Sequence, residues 1–368
     1  METVKERVPA YFSQKIRVLS FFAMIAVVYI HAYNYADTFL QPMTRIKEGM
    51  HIPAMIEFFF ANALTRFAVP AFFLISGYLF FAGLQEFTAA DYIRKIKSRI
   101  ISLVVPYAFW VPFWSFTGLL MINLFSDASF PILQEKFADW ADSPFLCMYN
   151  LPLPFQFWFL KDLMKLVLLS PLFYLLATKL KEYSLLLFII PWLLDISFPV
   201  VPNVDGMLFF AAGTYIALCG KDRLHLERSA RNKTALLFPI IWVLACAGYT
   251  LLCASPSAAG VPDMFLTIAH KICIALGVAS VFILYDFLPK KESKKQSTIL
   301  ASTFVIFALH EPLQHFVFQY VFLKERSDAL HIVLYFLLPL LFVLFGILVS
   351  ILLSRFAPKL RSFLTGGR

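Results

Sequence analysis

The chain has 368 residues, of which 60% are hydrophobic and only 15% charged, and its formal net charge is +9. This composition excludes an ordinary soluble domain, which needs far more polar surface. Apolar stretches of about 20 residues recur along the sequence, each long enough as a helix to cross a hydrocarbon core of roughly 30 Å. We therefore expect an all-α integral membrane protein, because barrel strands would alternate polar and apolar residues.

The apolar stretches predict a bundle of about ten transmembrane helices in one domain, residues 1–368, with no appended soluble domain. The predicted spans lie near residues 18–36, 53–83, 100–123, 154–178, 184–199, 206–220, 234–255, 264–288, 298–322 and 330–354. If the N-terminus is cytoplasmic, 23 of the 32 lysines and arginines fall in cytoplasmic segments. The positive-inside rule then predicts that both termini are cytoplasmic in a multi-pass protein of the inner (plasma) membrane. This distribution accounts for most of the positive charge, so no nucleic-acid partner is needed.

The longest predicted outer segment, residues 124–153, is rich in Phe, Trp, Asp and Pro. It lies along the interface as a lid or short amphipathic helix, or it forms a plain long loop, and the sequence leaves both open. The five cysteines are scattered, with no CxxC pair and no histidine at ligand spacing. Four of them fall in or beside apolar runs, where we expect them to pack among apolar residues, and we predict no metal site.

Ionisable residues inside apolar spans are costly unless they are paired or face water, so they are candidates for function. His31, Arg66 and His310 each lie about 12 or 13 residues into a predicted span, which brings them to a similar depth. A structural, hydrogen-bonded histidine is the alternative for His310. Lys161 and Asp162, at the outer interface, are expected to contact an acceptor, and their alternative role is an ion pair that anchors a helix end.

The first span carries a further spatial pattern. At 100° per residue, Ser20 lies within about 20° of the face of His31, and Arg17 lies within about 40° of it. All three side chains are therefore predicted to face one cavity, with Arg17 at the cytoplasmic mouth and His31 roughly 21 Å further in. A long donor with an anionic head and a reactive end, such as an acyl-coenzyme A, suits that separation.

Several short motifs follow one another in a fixed order along the chain. They are Arg17-Val-Leu-Ser with Val27-Val-Tyr-Ile-His31, Arg66-Phe-Ala-Val-Pro-Ala-Phe-Phe-Leu-Ile-Ser-Gly-Tyr-Leu79, Lys97-Ser-Arg99 leading to Pro106-Tyr107, Phe157-Trp-Phe-Leu-Lys-Asp162, Phe209-Phe-Ala-Ala-Gly-Thr-Tyr215 and Phe307-Ala-Leu-His310-Glu-Pro312. In their order, spacing and ten-helix context, these motifs resemble the acyltransferase 3 family of polytopic membrane acyltransferases along nearly the whole chain.

The resemblance implies that the histidine closing the first-helix motif, here His31, is essential. The family usually has an arginine eleven residues before it, where this chain has Ser20. The resemblance leaves open whether Arg17 takes over that role, whether donor binding differs or whether activity has been lost. We assign Arg17, Ser20 and Arg99 to the acyl donor, and Arg66 to a catalytic role in holding a phosphate or a developing oxyanion.

The chemistry agrees with this assignment. An imidazole near its unperturbed pKa of about 6.5 can take the proton of an attacking sugar hydroxyl, or can carry the acyl group itself. Lys161, Asp162 and His310 are assigned to the acceptor. Ser76 lacks the GxSxG context of a nucleophile, so it is interpreted as a packing or cavity residue.

We therefore predict a membrane O-acyltransferase that moves an acetyl or other short acyl group to a hydroxyl of a cell-envelope glycan or lipid-linked sugar. The prediction includes no bound cofactor: acyl-CoA, with acetyl-CoA as the expected form, is a co-substrate that arrives from the cytoplasm. The partners are that donor, the sugar acceptor and membrane lipids. A transporter or flippase of polysaccharide or acyl groups is the alternative, although the sequence shows none of the paired half-repeats common in transporters.

Overall fold

The computed structural model describes residues 10–33, 45–46, 48–84, 86–124, 154–196, 202–219, 233–256, 260–288, 294–322 and 327–367. Within these ranges the regular elements are helices, and no strand occurs. The predicted outer segment lies outside the described residues from position 125 onward. The α-helices are α1 (Ala10–Ile30), α2 (Ile52–Phe58), α3 (Ala68–Phe81), α4 (Ala89–Arg99), α5 (Val105–Leu124), α6 (Trp158–Leu168), α7 (Ser170–Leu180), α8 (Leu186–Leu193), α9 (Val204–Leu218), α10 (Leu237–Ala254), α11 (Asp263–Asp286), α12 (Lys294–Leu300), α13 (Thr303–Phe322), α14 (Asp328–Phe356) and α15 (Pro358–Thr365).

Six helical stretches of the described chain are long and apolar enough to cross a membrane: Ala10–Ile30, Ile52–Phe81, Ala89–Gly118, Lys233–Ala254, Asp263–Asp286 and Asp328–Phe356. A bent pair, Phe155–Leu168 with Ser170–Leu193, makes a seventh candidate if it counts as one span. These helices identify a multi-pass, all-helical membrane protein. The finer count of ten spans stays a prediction.

The bend within that pair measures 60° and falls between α6 and α7. Pro171, in the first turn of α7, has no backbone N–H and so cannot continue the hydrogen-bond ladder from α6. In this part of the chain the sequence predicts the fourth and fifth spans, near residues 154–178 and 184–199. The predicted sixth span corresponds to α9, whose 15 residues extend about 22 Å, less than a hydrocarbon core of roughly 30 Å.

The second span changes its helical geometry in the middle. Between α2 and α3 the chain forms a π-helical segment, Phe59–Ala63, and then a 3-10 segment, Leu64–Phe67. The carbonyls released by this change are bonded by nearby side chains: Thr65 Oγ1 donates to Phe60 O at 2.6 Å, and Arg66 Nε donates to Ala61 O at 3.0 Å. Satisfied carbonyls allow the irregular segment to sit within an apolar environment.

Two glycines allow α3 and α9 to pack backbone against backbone. A Cβ atom on Gly77 would lie 2.2 Å from Phe210 O, and one on Gly213 would lie 2.0 Å from Leu74 O. Small residues at such positions permit close approach of membrane helices. This contact fixes one face of α3, while Phe72, Ile75 and Ser76 of the same helix line the cavity described below.

A buried ion pair joins α1 to α11. Lys15 Nζ lies 2.8 Å from Asp286 Oδ1, and the side chains of both residues are almost fully buried. Tyr11 also donates to Asp286, and the Lys15 ammonium lies over the rings of Phe282 and Tyr285. Because burying either charge alone is costly, the pair ties the first half of α1 to the end of α11.

Candidate active site

A cavity of about 440 Å³ lies between α1, α3, α6 and α13. Its size falls within the range of small-molecule sites. Most of its lining is apolar, and its polar lining residues are Arg17, Ser20, His31, Ser76, Arg99, Gln156 and Thr303. The cavity therefore brings together four residues that the sequence assigns to the donor and to catalysis, namely Arg17, Ser20, His31 and Arg99.

The polar groups are separated along the cavity. Arg17 and Ser20 lie in the first half of α1, Arg99 ends α4, and His31 follows the last residue of α1. Arg17 is exposed, and its Nη2 donates to Ser297 Oγ on α12 at 2.7 Å. The fourteen residues from Arg17 to His31 correspond to about 21 Å of helix. Arg99 Cζ lies 6.0 Å from the ring centroid of Phe80 near the end of α3, and Tyr78 of α3 packs on Phe12 near the start of α1. Both guanidinium groups therefore lie at one end of the site, and the imidazole lies at the other.

His310 lies directly beside His31, with 5.3 Å between the ring centroids. Its Nδ1 is 3.1 Å from Ile306 O and 2.9 Å from Phe307 O. Both contacts are carbonyl acceptors, so a neutral His310 carries its proton on Nδ1 and keeps the lone pair on Nε2. That Nε2 atom is buried and has no hydrogen-bond partner among the described residues. It is a fixed acceptor close to the His31 ring.

Gln314, which the sequence interpretation missed, fixes the position of His310 along α1 relative to His31. Gln314, one turn beyond His310, donates through Nε2 to Val28 O at 3.0 Å, and Val28 is about one turn before His31. The glutamine is 1% exposed, so this bond forms in a dry environment. It holds α13 against α1 at the height where the two rings meet.

Gln156 is the second polar residue that the sequence interpretation missed. It lines the cavity and is 2% exposed. With its amide oriented to satisfy both ends, its nitrogen donates to Glu311 Oε2 at 2.9 Å and to Pro154 O at 3.3 Å. Gln156 comes directly before Phe157, the first residue of a motif that the sequence singled out, and that position was the available signal. The pair couples the start of α6 to the residue next to His310.

Other predicted site residues lie outside the cavity lining. Arg66, in the 3-10 segment of the second span, bonds to Ala61 O instead. Asp162 accepts from the backbone N–H of Asn203 at 2.9 Å, and its other oxygen lies 3.4 Å from Lys165 Nζ. Lys161 is likewise absent from the lining, which takes the neighbouring Leu160 and Leu163 from α6. Asp162 therefore anchors the start of α9.

The sequence was also compared with known proteins. A family model described as an acyltransferase domain matches residues 14–355. The chain is similar to the succinoglycan biosynthesis protein ExoH of Rhizobium meliloti (strain 1021), with 26% identity over 323 residues that cover 85% of this chain and 82% of the relative. No solved structure matches the chain.

Proposed function

The chain belongs to the acyltransferase 3 family, and we propose that it moves an acetyl or other short acyl group from cytoplasmic acyl-CoA to a hydroxyl of a cell-envelope glycan or lipid-linked sugar. The observation that carries the proposal is one cavity with two arginines at one end and His31 at the other. Similarity to a succinoglycan biosynthesis protein supports a polysaccharide or its precursor as the acceptor. We place the protein in the inner membrane with both termini in the cytoplasm, as its distribution of basic residues favours.

In this proposal Arg17 and Arg99 bind the phosphates of the donor. Both are permanent cations, and phosphate suits the planar donor fork of arginine. The apolar walls between them and His31 suit an extended chain that ends in a thioester. Ser20 and Arg17 line the same cavity one turn apart, which supports Arg17 as the replacement for the arginine usual at the position of Ser20.

His31 acts as the general base. The acceptor hydroxyl oxygen attacks the thioester carbonyl while His31 takes the hydroxyl proton, and a tetrahedral intermediate forms. When the C–S bond breaks, the protonated imidazole returns that proton to the leaving thiolate. The products are an acyl ester and free coenzyme A, with no net proton released. His310 Nε2, fixed beside His31, positions the imidazole and accepts a hydrogen bond when His31 is protonated.

The experiment measures ester-linked acyl groups on envelope polysaccharide and glycolipid. Cells with the gene deleted are compared with cells complemented by wild type, His31→Ala or His51→Ala. His51 is the matched control because its side chain is partly exposed, lies 3.4 Å from Asp328 and is outside the cavity. We expect wild type and His51→Ala to restore acylation, and His31→Ala to lose activity by about 10²- to 10⁴-fold, the usual value of a general base.

Two results would contradict the proposal. Normal acylation with a well-expressed His31→Ala protein would show that His31 is structural. If deletion changed the amount of exported polymer and left its acylation unaltered, the chain would belong with transporters or flippases instead.

A further inference from the structure

Arg66 is a cation inside the bundle that forms no ion pair with any of the residues that the structure describes. Its Nε–H donates to Ala61 O, and among the described residues its guanidinium makes no ion pair and no second hydrogen bond. Within the described part of the chain, the other four N–H donors of this permanent cation thus have no hydrogen-bond acceptor. Such a group is expensive to keep, and ionisable groups retained inside a membrane usually serve function.

The surroundings of Arg66 are polar, and the carboxylates there pair with another cation. Tyr249 of α10, Asp205 of α9 and Tyr335 of α14 are close enough to interact electrostatically with the guanidinium. Asp205 is already committed: its Oδ1 accepts from Trp192 Nε1 at 2.5 Å and from Lys271 Nζ at 3.2 Å. Lys271 Nζ also lies 2.9 Å from Asp195 Oδ1, so both carboxylates pair with Lys271 and neither forms an ion pair with Arg66.

This region borders the end of α1 on a flank other than the donor cavity. Tyr335 is fully buried and packs with Ala32, the residue that follows His31. Its ring centroid is 6.0 Å from that of Tyr29. Arg66 is absent from the lining of the donor cavity. The end of α1 thus has the donor cavity on one flank and Tyr335, with Arg66 nearby, on another.

We propose that Arg66 binds an anionic group, a phosphate or a carboxylate, of the acyl acceptor and so selects acceptors that carry one. This inference rests on the proposed function. The planar fork of arginine matches either anion with two parallel hydrogen bonds. A donor phosphate is the wrong occupant, because Arg17 and Arg99 lie in the donor cavity and Arg66 does not. Bound there, the anion pairs with the guanidinium and holds the acceptor near His31.

The test uses purified full-length protein in nanodiscs of zwitterionic phosphatidylcholine, which contain no anionic lipid. Glucose 1-phosphate, glucuronate and glucose are titrated into wild type, Arg66→Gln, Arg66→Lys and Arg45→Gln, and acetyl-CoA is titrated separately. Arg45→Gln is the matched control because it removes the same charge from a partly exposed arginine that pairs with Asp263. We expect wild type and Arg45→Gln to bind at least one anionic sugar ten-fold or more tightly than glucose. Arg66→Gln should lose that preference while its affinity for acetyl-CoA is unchanged.

The titrations with glucose 1-phosphate and with glucuronate identify whether the acceptor carries a phosphate or a carboxylate. Arg66→Lys keeps the positive charge but lacks the planar guanidinium, so it should bind the preferred anion several-fold more weakly than wild type. It provides the same test if Arg66→Gln cannot be purified. Unchanged anion affinity in the Arg66 variants, or no anion preference in wild type, would overturn the inference and leave acyl transfer standing. Loss of acetyl-CoA affinity in Arg66→Gln would overturn it too, by assigning Arg66 to the donor. Failure of the proposed function appears separately, as acylation that does not depend on His31.

Discussion

Replacing Gly213 by alanine should separate α3 from α9 and destabilise the protein. The added Cβ would lie 2.0 Å from Leu74 O and 2.7 Å from Tyr78 N, whereas ordinary contacts begin at 3.4 Å. Both clashing atoms belong to a helix backbone, so no side chain can rotate away and the helices must move apart by more than about 1 Å. We expect a loss of about 3 kcal/mol, the upper part of the range for overpacked sites.

The same displacement should reach the cavity. Val69, Phe72 and Leu79 of α3 line it, so a shift of this helix changes the wall opposite α1. We therefore expect Gly213→Ala to raise the KM for acyl-CoA as well as to lower the apparent unfolding temperature. On detergent-purified protein, thiol release measures the KM, and intrinsic fluorescence during heating measures the unfolding temperature.

Two other glycines provide a graded control. Gly248 in α10 has open space at its Cβ position, so Gly248→Ala should be neutral or slightly stabilising, since alanine is the better helix former by up to about 1 kcal/mol. A Cβ on Gly277 would meet Trp242 Nε1 at 2.8 Å and Phe67 Cβ at 2.9 Å, and because these belong to side chains, an intermediate loss is expected. Equal unfolding temperatures for Gly213→Ala and Gly248→Ala would refute the close packing of α3 on α9.

Three further outcomes follow from the contacts. Arg17→Ala should raise the KM for acyl-CoA at least ten-fold, and adding Ser20→Arg should restore it, as steady-state kinetics will show. Lys15→Met should destabilise by about 3–5 kcal/mol because it leaves Asp286 buried without its cation, while Lys15→Met with Asp286→Leu should recover most of the loss in thermal unfolding. Gln314→Leu should lower kcat about ten-fold with little change in KM, because the two histidine rings lose their common register.

Much of the first helix could be anticipated from residue spacing alone. A regular helix turns 100° per residue, so the separations of Arg17, Ser20 and His31 place them on similar faces, and the structure has all three lining one cavity. Their roles in donor binding and catalysis stay predictions. The spacing worked because α1 is unbroken from Ala10 to Ile30.

Arg66 shows where the same reasoning stops. Its depth in the span predicts the level at which it lies, and that prediction does not say which cavity it faces. The π-helical and 3-10 segments around it change the residues per turn and so rotate the faces that follow. No proline or glycine marks the change in the sequence Phe59–Phe67, so the pattern gave no warning. The depth of a residue in a span follows from the number of residues before it. The direction of its side chain depends on the helical geometry of every turn before it.

The roles of Gln156 and Gln314 were not predicted from the sequence, for a different reason. Inside a span, an ionisable residue stands out because its charge is costly there, and an uncharged amide does not. Yet a buried amide must still satisfy its donors, so it bonds tightly to whichever groups lie near it. Here those groups are Glu311 Oε2 and Val28 O, and both bonds lie beside the histidine pair.

The position of His31 is thus determined mostly by helices distant in sequence. It lies just beyond the last residue of α1, where a helix end frays unless other elements hold it. Gln314 of α13 holds Val28, and the Tyr29 hydroxyl donates to Phe336 O of α14 at 3.0 Å. Because α14 also packs on α2 and carries Tyr335, which interacts electrostatically with Arg66, its first half is the element that links the proposed acceptor binding at Arg66 to the proposed proton transfer at His31.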